Sequence, residues 1–178
     1  YADVPDMSVC RAGDYFYMVS TTMHLMPGAP IMRSPDMKHW ETISYVFPRI
    51  DDGPRYGLLE GTAYGQGQWA SSIRYHDGKF YVWFTANGAP GRGFVYTATD
   101  PAGPWKLLSR PPHFHDGSLL FDDDGRVYLF HSTGQLTELK PDLTDVLPGG
   151  INQQIFERDA DEQGLLEGSS VIKHNGKY

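Results

Sequence analysis

The sequence predicts an all-β protein made of repeated units of four short strands, and three observations support this prediction. The 178 residues include eleven Tyr, nine Phe and four Trp, together with twenty Gly and thirteen Pro. Aromatic residues favour strands, whereas Gly and Pro favour the tight turns between strands. A strand-like phrase also recurs along the chain, and no window has the sustained apolar spacing of an amphipathic helix.

The recurring phrase is a turn followed by aromatic and aliphatic residues. It occupies Gly13–Ser20, Asp77–Phe84 and Asp124–His131, and a fourth copy begins at Asn175. Asp-Gly and Asn-Gly suit a hairpin turn because Gly accepts a positive φ at little cost. The copies recur at intervals of roughly 45 to 65 residues, and units of about 40 to 50 residues are typical of propeller blades. A β-sandwich is the alternative, but the repeats favour a β-propeller.

A second phrase follows the first in two copies. Ser34–Asp36 leads to Trp40, and Ala98–Asp100 leads to Trp105. Each copy predicts a strand end, a turn and a Trp that opens the next strand, whereas a third copy near Pro141 is weak. The predicted units are residues 1–47, 68–110 and 113–148 and the start of a fourth at 165–178, with an inserted loop at 48–67.

Charge and composition limit the partners. The formal net charge is −7 and no run of Lys or Arg occurs, which argues against nucleic acid and against an anionic membrane. A neutral ligand such as a sugar is compatible with this charge. Cys10 is the single cysteine, so no internal disulfide can form. Both ends of the sequence look cut, so we expect a partial domain. We also expect a secreted or periplasmic protein, and the sequence does not specify its oligomeric state.

Three carboxylates open three different units: Asp6, Asp116 and Glu167. Each has a structural alternative, because either Asp could close a turn and Glu167 could face water from an edge strand. The opening strand of each propeller blade lines the central axis. We therefore expect the three carboxylates to converge on one pocket. Leucines precede Glu167, and an apolar setting would raise the pKa of its carboxyl, as a general acid requires.

Metal sites have weaker support in the sequence. The acidic run Asp122–Gly125 resembles the start of a calcium loop, but it lacks the later Glu that an EF-hand needs. His113 and His115 alternate beside Asp116 and could suggest a metal, but no further ligand set has useful spacing. We expect no catalytic metal.

Two aromatic side chains are candidates for substrate binding. Trp69 opens the second unit, so its indole should face the axis and could stack on the apolar face of a sugar; a core position is the alternative. Trp40, Trp83 and Trp105 belong to the repeated framework, so we expect them in the core. His24 follows a predicted strand and could reach the rim of the pocket, or remain a solvated loop residue.

At these positions the chain resembles family-43 glycoside hydrolases, five-bladed propellers that act on arabinose- and xylose-containing glycans. Four segments match the opening phrases of successive blades in order: Val4–Ser8, Trp69–Ser71, Asp116–Leu120 and Glu167–Ser169. The resemblance implies that this chain covers about three blades and the start of a fourth. It also implies that the reaction needs no cofactor and that the propeller axis could hold a structural calcium ion.

The resemblance also implies a role for each carboxylate. Asp6 matches the general base, Glu167 the general acid, and Asp116 the residue that raises the pKa of the acid and orients it. Hydrolysis with inversion needs the acid and base roughly 6.5–9.5 Å apart, which leaves room for a water. The alternatives are a retaining fructosidase, a sialidase-like propeller and a non-catalytic glycan-binding propeller.

Overall fold

The structure is a computed structural model that describes residues 3–88 and 91–178. Within these residues the protein is all-β, which confirms the predicted class. Twelve strands form three four-stranded sheets, and in each sheet the strands lie in chain order and pair antiparallel. Among the described residues, no helix has the length and apolar character that a membrane span requires.

The three sheets follow one another along the chain. The first sheet contains β1 (Ser8–Ala12), β2 (Tyr15–Val19), β3 (Gly28–Ser34) and β4 (Glu41–Phe47). The second sheet contains β5 (Gly67–His76), β6 (Lys79–Asn87), β7 (Gly93–Ala98) and β8 (Lys106–Ser109). The third sheet contains β9 (Ser118–Phe121), β10 (Val127–His131), β11 (Gln135–Leu139) and β12 (Asn152–Gln154). A 3-10 turn at Pro54–Gly57 lies between the first two sheets.

The recurring phrase forms the hairpin between the first two strands of each sheet. In the second sheet His76 pairs with Lys79, so Asp77 and Gly78 alone form the turn. Their φ angles are 46° and 75°, and positive φ at both positions is typical of the type I′ turn that matches strand twist. The sequence signal and the local backbone therefore agree.

The second phrase forms a turn capped by an aspartate. The Oδ1 atom of Asp36 accepts hydrogen bonds from the amides of Lys38 and His39, both at 2.9 Å. The amide of Ala102 donates to Asp100 Oδ1 at 2.8 Å. The third copy also forms an aspartate-capped turn, with Asp142 as the acceptor. Of the three framework tryptophans, Trp83 is fully buried, whereas Trp40 and Trp105 are only partly buried.

Apolar side chains fill the spaces between successive sheets. Val19, Ile31, Phe47, Ile73 and Phe84 belong to one cluster, which joins the first and second sheets. A second cluster, which includes Trp83, Leu119 and Leu139, joins the second and third sheets. Each fully buried large apolar side chain contributes about 1.5–3 kcal/mol, so these clusters hold the sheets face to face.

A serine hydroxyl links each sheet to the next at an equivalent position in the repeat. The first strands adjoin, with β1 against β5 and β5 against β9. The serine accepts a hydrogen bond from an amide of the following unit, which lies on the first strand in the first two links and in the segment after Glu167 in the third. The three links are Ser8 Oγ with the Ile73 amide at 3.2 Å, Ser72 Oγ with the Leu119 amide at 3.1 Å, and Ser118 Oγ with the Val171 amide at 3.0 Å. They fix the axial register of neighbouring first strands.

Three predicted ranges differ from the observed elements. The third unit does not end at residue 148, because the turn-rich connection after β11 places β12 at Asn152–Gln154. The loop predicted at 48–67 contains the short 3-10 turn, and its last residue already begins β5. Residues 165–178 form no sheet, and their predicted hairpin is reduced to one bridge between His174 and Lys177.

Ser72→Ala should test the serine links. The change leaves the buried amide of Leu119 without its acceptor, and an unsatisfied buried donor costs about 1–3 kcal/mol. We expect a lower melting temperature, measured by thermal unfolding of the complete gene product. Thr99→Ala is the control, because Thr99 is exposed after β7. An unchanged melting temperature for Ser72→Ala would contradict the assigned role of the link.

Candidate active site

A cavity of about 290 Å3 lies where the first strands begin. Each unit contributes to its lining through the same stretch of its repeat. The lining includes Asp6 and Ser8, Ser71 and Ser72, Asp116 and Ser118, and Gly168 to Ser170. Glu167 lines an adjoining pocket that shares Ser169 and Ser170 with this cavity. Residues distant in sequence thus meet at one end of the three first strands.

Asp6 lies just before β1 with an exposed carboxylate. Thr21 Oγ1 donates a hydrogen bond to Asp6 Oδ2 at 2.8 Å. The preceding carbonyl, Pro5 O, accepts from Ser20 Oγ at 2.7 Å. The residues after β2 therefore orient both the backbone and the side chain of Asp6, whose φ of 50° is uncommon for a non-glycine residue.

Asp116 lies in a turn immediately before β9, rather than inside an apolar strand. Its φ is 50°, the same value as that of Asp6. The amide of Gly168 donates to Asp116 Oδ2 at 3.1 Å, which ties this carboxylate to the residue after Glu167. Burial raises the pKa of Asp116; His115 and the Gly168 hydrogen bond oppose the shift, and the negative charges of Glu167 and Asp6 add to it.

The next residue, Gly117, is required by close packing. A Cβ atom at this position would lie 2.5 Å from Trp83 Nε1 and 3.0 Å from Leu129 Cδ1. The buried indole of Trp83 thus supports the turn that presents Asp116, and its N–H has no hydrogen-bond partner among the described residues.

Glu167 lies in a more exposed setting than the sequence predicts. Its side chain is 42% exposed and Leu165 is 83% exposed, so the described residues do not bury Glu167, although Phe130, Phe156 and Leu166 line the pocket beside it. The reason is that the segment from 155 to 178 does not pair into a sheet. Contacts from the third unit and from Arg74 hold this segment in place instead.

His115 joins the two carboxylates, a role that the sequence does not predict. Its Nε2 atom lies 3.5 Å from Asp116 Oδ1 and 3.4 Å from Glu167 Oε2. The repeat contains a signal for this position: His115, Trp69 and Glu167 each stand three residues before the serine of their unit, and Asp6 and Asp116 stand two before. The side chains of the site therefore come from two adjacent positions of the repeat.

Gly65 connects Trp69 to His24 through two hydrogen bonds. Trp69 Nε1 donates to Gly65 O at 3.0 Å, and the Gly65 amide donates to His24 Nδ1 at 3.1 Å. The Trp69 ring is partly buried, and its centroid lies 6.2 Å from that of His115. His24 also packs against Tyr64, with ring centroids 4.7 Å apart. Tyr64 is 79% exposed and was not singled out from the sequence.

A group of three side chains beside the cavity could hold a metal ion. In the part of the chain that the structure describes, one group of three, His115, Asp116 and Glu167, has ligand atoms within 4.8 Å of one another. His113 is not part of it. Between the first strands, carbonyl and hydroxyl oxygens accept hydrogen bonds from Arg74.

The raised pKa of Asp116 predicts a pH-dependent stability. The folded protein binds this proton more tightly than the unfolded chain does, so the associated stability is complete below about pH 3.9 and decreases as pH rises through the raised value. Asp116→Asn should therefore raise the melting temperature at pH 7, and the gain should vanish at pH 3. Asp161→Asn, at an exposed site, is the control. A gain that is equal at both pH values would contradict the account.

Known proteins resemble this chain over the regions just described. The family model described as "Glycosyl hydrolases family 43" matches residues 1–178. A non-reducing end α-L-arabinofuranosidase of Bacteroides ovatus is 45% identical over 134 residues, which are 74% of this chain and 25% of that protein. A xylosidase/arabinosidase of Butyrivibrio fibrisolvens is 40% identical over 131 residues, which are 70% of this chain and 24% of that protein.

Solved structures agree with these relatives. The structure described as a bifunctional GH43-CE protein of Bacteroides eggerthii superposes with a TM-score of 0.90 at 41% identity, over 99% of this chain and 24% of that one. This chain spans about a quarter of the length of the two curated relatives. The family match extends over every strand and over all three carboxylates, and the chain belongs to glycosyl hydrolase family 43.

Proposed function

We propose that the protein is a glycosidase that hydrolyses arabinosyl or xylosyl linkages of plant-type glycans with inversion. The observation that supports this most strongly is the meeting of Asp6, Asp116 and the Glu167 segment at one cavity, from three different units. The names of the relatives, an arabinofuranosidase and a xylosidase/arabinosidase, agree with this substrate class.

In the proposed reaction Glu167 protonates the glycosidic oxygen of the leaving group. Asp6 takes a proton from a water that attacks the anomeric carbon from the opposite face, so the configuration inverts. The hydrogen bond from Thr21 orients the Asp6 carboxylate for this step. The exposure of Asp6 and Glu167 gives both water and substrate access to them.

Asp116 acts on the acid rather than on the substrate. Its hydrogen bond from Gly168 holds the backbone next to Glu167, and so helps to orient the acid. His115 contacts both carboxylates, so it helps to orient Glu167. Trp69 offers a partly buried aromatic face for the sugar, and His24 supports it through Gly65.

We infer that the complete domain is a five-bladed propeller, of which the three sheets are the first blades and residues 165–178 begin the fourth. The repeated serine link supports this, because Ser118 already receives the Val171 amide of the next unit. Ser170 stands at the equivalent position in that unit. We further propose a secreted or periplasmic location, where plant glycans are accessible.

Two substitutions test the acid and base assignments on the complete gene product. Asp6→Asn should lower kcat by about 10²–10⁴ on 4-nitrophenyl α-L-arabinofuranoside or β-D-xyloside and on the matching oligosaccharides. Glu167→Gln should lower kcat much less on the nitrophenyl glycosides, because nitrophenolate leaves without protonation, and strongly on the oligosaccharides. Release of nitrophenol and of reducing sugar measures the two effects.

The matched controls are Asp3→Asn and Glu157→Gln, which change exposed carboxylates outside the cavity. Both should retain the kcat of the unmodified protein, and all variants should melt cooperatively. An active Asp6→Asn protein would refute the assignment of the base. A protein that binds these glycans without releasing product would indicate a binding propeller instead.

A further inference from the structure

Arg74, on β5, contacts every unit of the structure. Its three guanidinium nitrogens all donate hydrogen bonds to acceptors on the surrounding first strands and on the segment after Glu167. The acceptors are Leu119 O for Nε, Ile73 O at 2.7 Å and Ser8 Oγ at 3.3 Å for Nη1, and Ser118 Oγ at 2.9 Å and Val171 O at 3.0 Å for Nη2. One side chain therefore connects the three sheets and the start of the fourth unit.

All of these acceptors are neutral. Within residues 3–88 and 91–178, no carboxylate forms an ion pair with Arg74. Burial lowers the pKa of Arg74, although the guanidinium stays charged at neutral pH. The nearby Cys10 supplies no counterion, because burial raises the pKa of its thiol to about 12. Burying a cation without a counterion costs free energy, so we expect Arg74 to have a role that offsets this cost.

The contacts of Arg74 lie a short distance along the chain from each carboxylate. Ser8 and Ser118, which line the cavity, follow Asp6 and Asp116 by two residues, and Val171 follows Glu167 by four. Two strand residues span about 6.6 Å. The planar guanidinium thus fixes the separation of the three backbone segments that carry the acid, the base and the modulator.

A divalent ion would use the same oxygens. Calcium binds six to eight oxygens, usually including carboxylates, whereas the oxygens around Arg74 are carbonyls and hydroxyls that already accept its N–H groups. The guanidinium would also repel a second cation at this point. The residues present therefore fit an internal organic cation and do not fit an axial calcium ion.

We propose that Arg74 is the positioning residue that sets the spacing of Asp6, Asp116 and Glu167, and that its guanidinium takes the axial place of a metal ion. This proposal rests on the proposed glycosidase function. A misplacement of about 1 Å in a catalytic group can reduce turnover by about 100-fold. Arg74 touches no reacting atom, so its loss should appear in kcat with little change in KM.

The test compares Arg74→Ala and Arg74→Lys with the unmodified complete gene product, assayed on the arabinoside and xyloside. If the unmodified protein turns over neither substrate, the proposed function fails and not this inference. If it is active, we expect kcat to fall by about 100-fold in Arg74→Ala. Arg74→Lys should keep a melting temperature near that of the unmodified protein but lose kcat, because a point charge cannot span the strands as the planar fork does.

Two readouts separate positioning from general destabilisation. Millimolar guanidinium ion should raise both kcat and melting temperature of Arg74→Ala, and methylammonium should do so less. Arg126→Ala is the control without rescue, because Arg126 is exposed, pairs with Asp124 in a turn and lies over the Tyr128 ring, away from the first strands. EDTA should leave the melting temperature of the unmodified protein unchanged.

Three results would overturn the proposal. The first is an Arg74→Lys protein with unaltered kcat. The second is an Arg74→Ala protein that melts cooperatively and is not rescued by guanidinium. The third is a fall in the melting temperature of the unmodified protein on chelation, with recovery when calcium is added.

Discussion

Successive units are joined by a hydrogen bond from a backbone amide to a serine hydroxyl, repeated at Ser8, Ser72 and Ser118. Apolar packing between sheets is not directional, so packing alone would allow one sheet to slide against the next. The hydroxyl accepts from one particular amide and removes that freedom. Because Asp6 and Asp116 stand two residues before their serines, the same bonds place their carboxylates at one level around the cavity.

Arg74 adds a second constraint at the same depth. The serine links join neighbouring first strands in pairs, whereas the guanidinium contacts the first strands and the Val171 segment together. Neutral acceptors surround this cation, and the three carboxylates lie just before the segments that supply these acceptors. The arrangement keeps acidic groups close to one another without direct ion pairs to Arg74, which leaves them available for proton transfer.

The hairpins and the carboxylate positions could be predicted because each depends on local sequence. Asp77-Gly78 fixes a turn through its own backbone preferences, and the spacing of the repeats places Asp6 and Asp116 before first strands. The leucines before Glu167 predict burial that the described residues do not provide, since Leu165 is 83% exposed. The repeat places His115 at the same position as Trp69 and Glu167, but its contacts with the two carboxylates, and the contacts of Arg74, could not be predicted. Their roles depend on distances between units, which no local pattern specifies.

Inversion of the anomeric configuration follows most directly from the proposed roles of Asp6 and Glu167. The direct measurement is proton NMR during cleavage of a β-D-xyloside or an α-L-arabinofuranoside by the complete gene product. We expect the anomeric signal of the inverted sugar to appear first and then to decay as mutarotation proceeds. If the retained anomer appeared first, Asp6 would act as a nucleophile, and the assignment of Asp6 as base to an attacking water would be wrong.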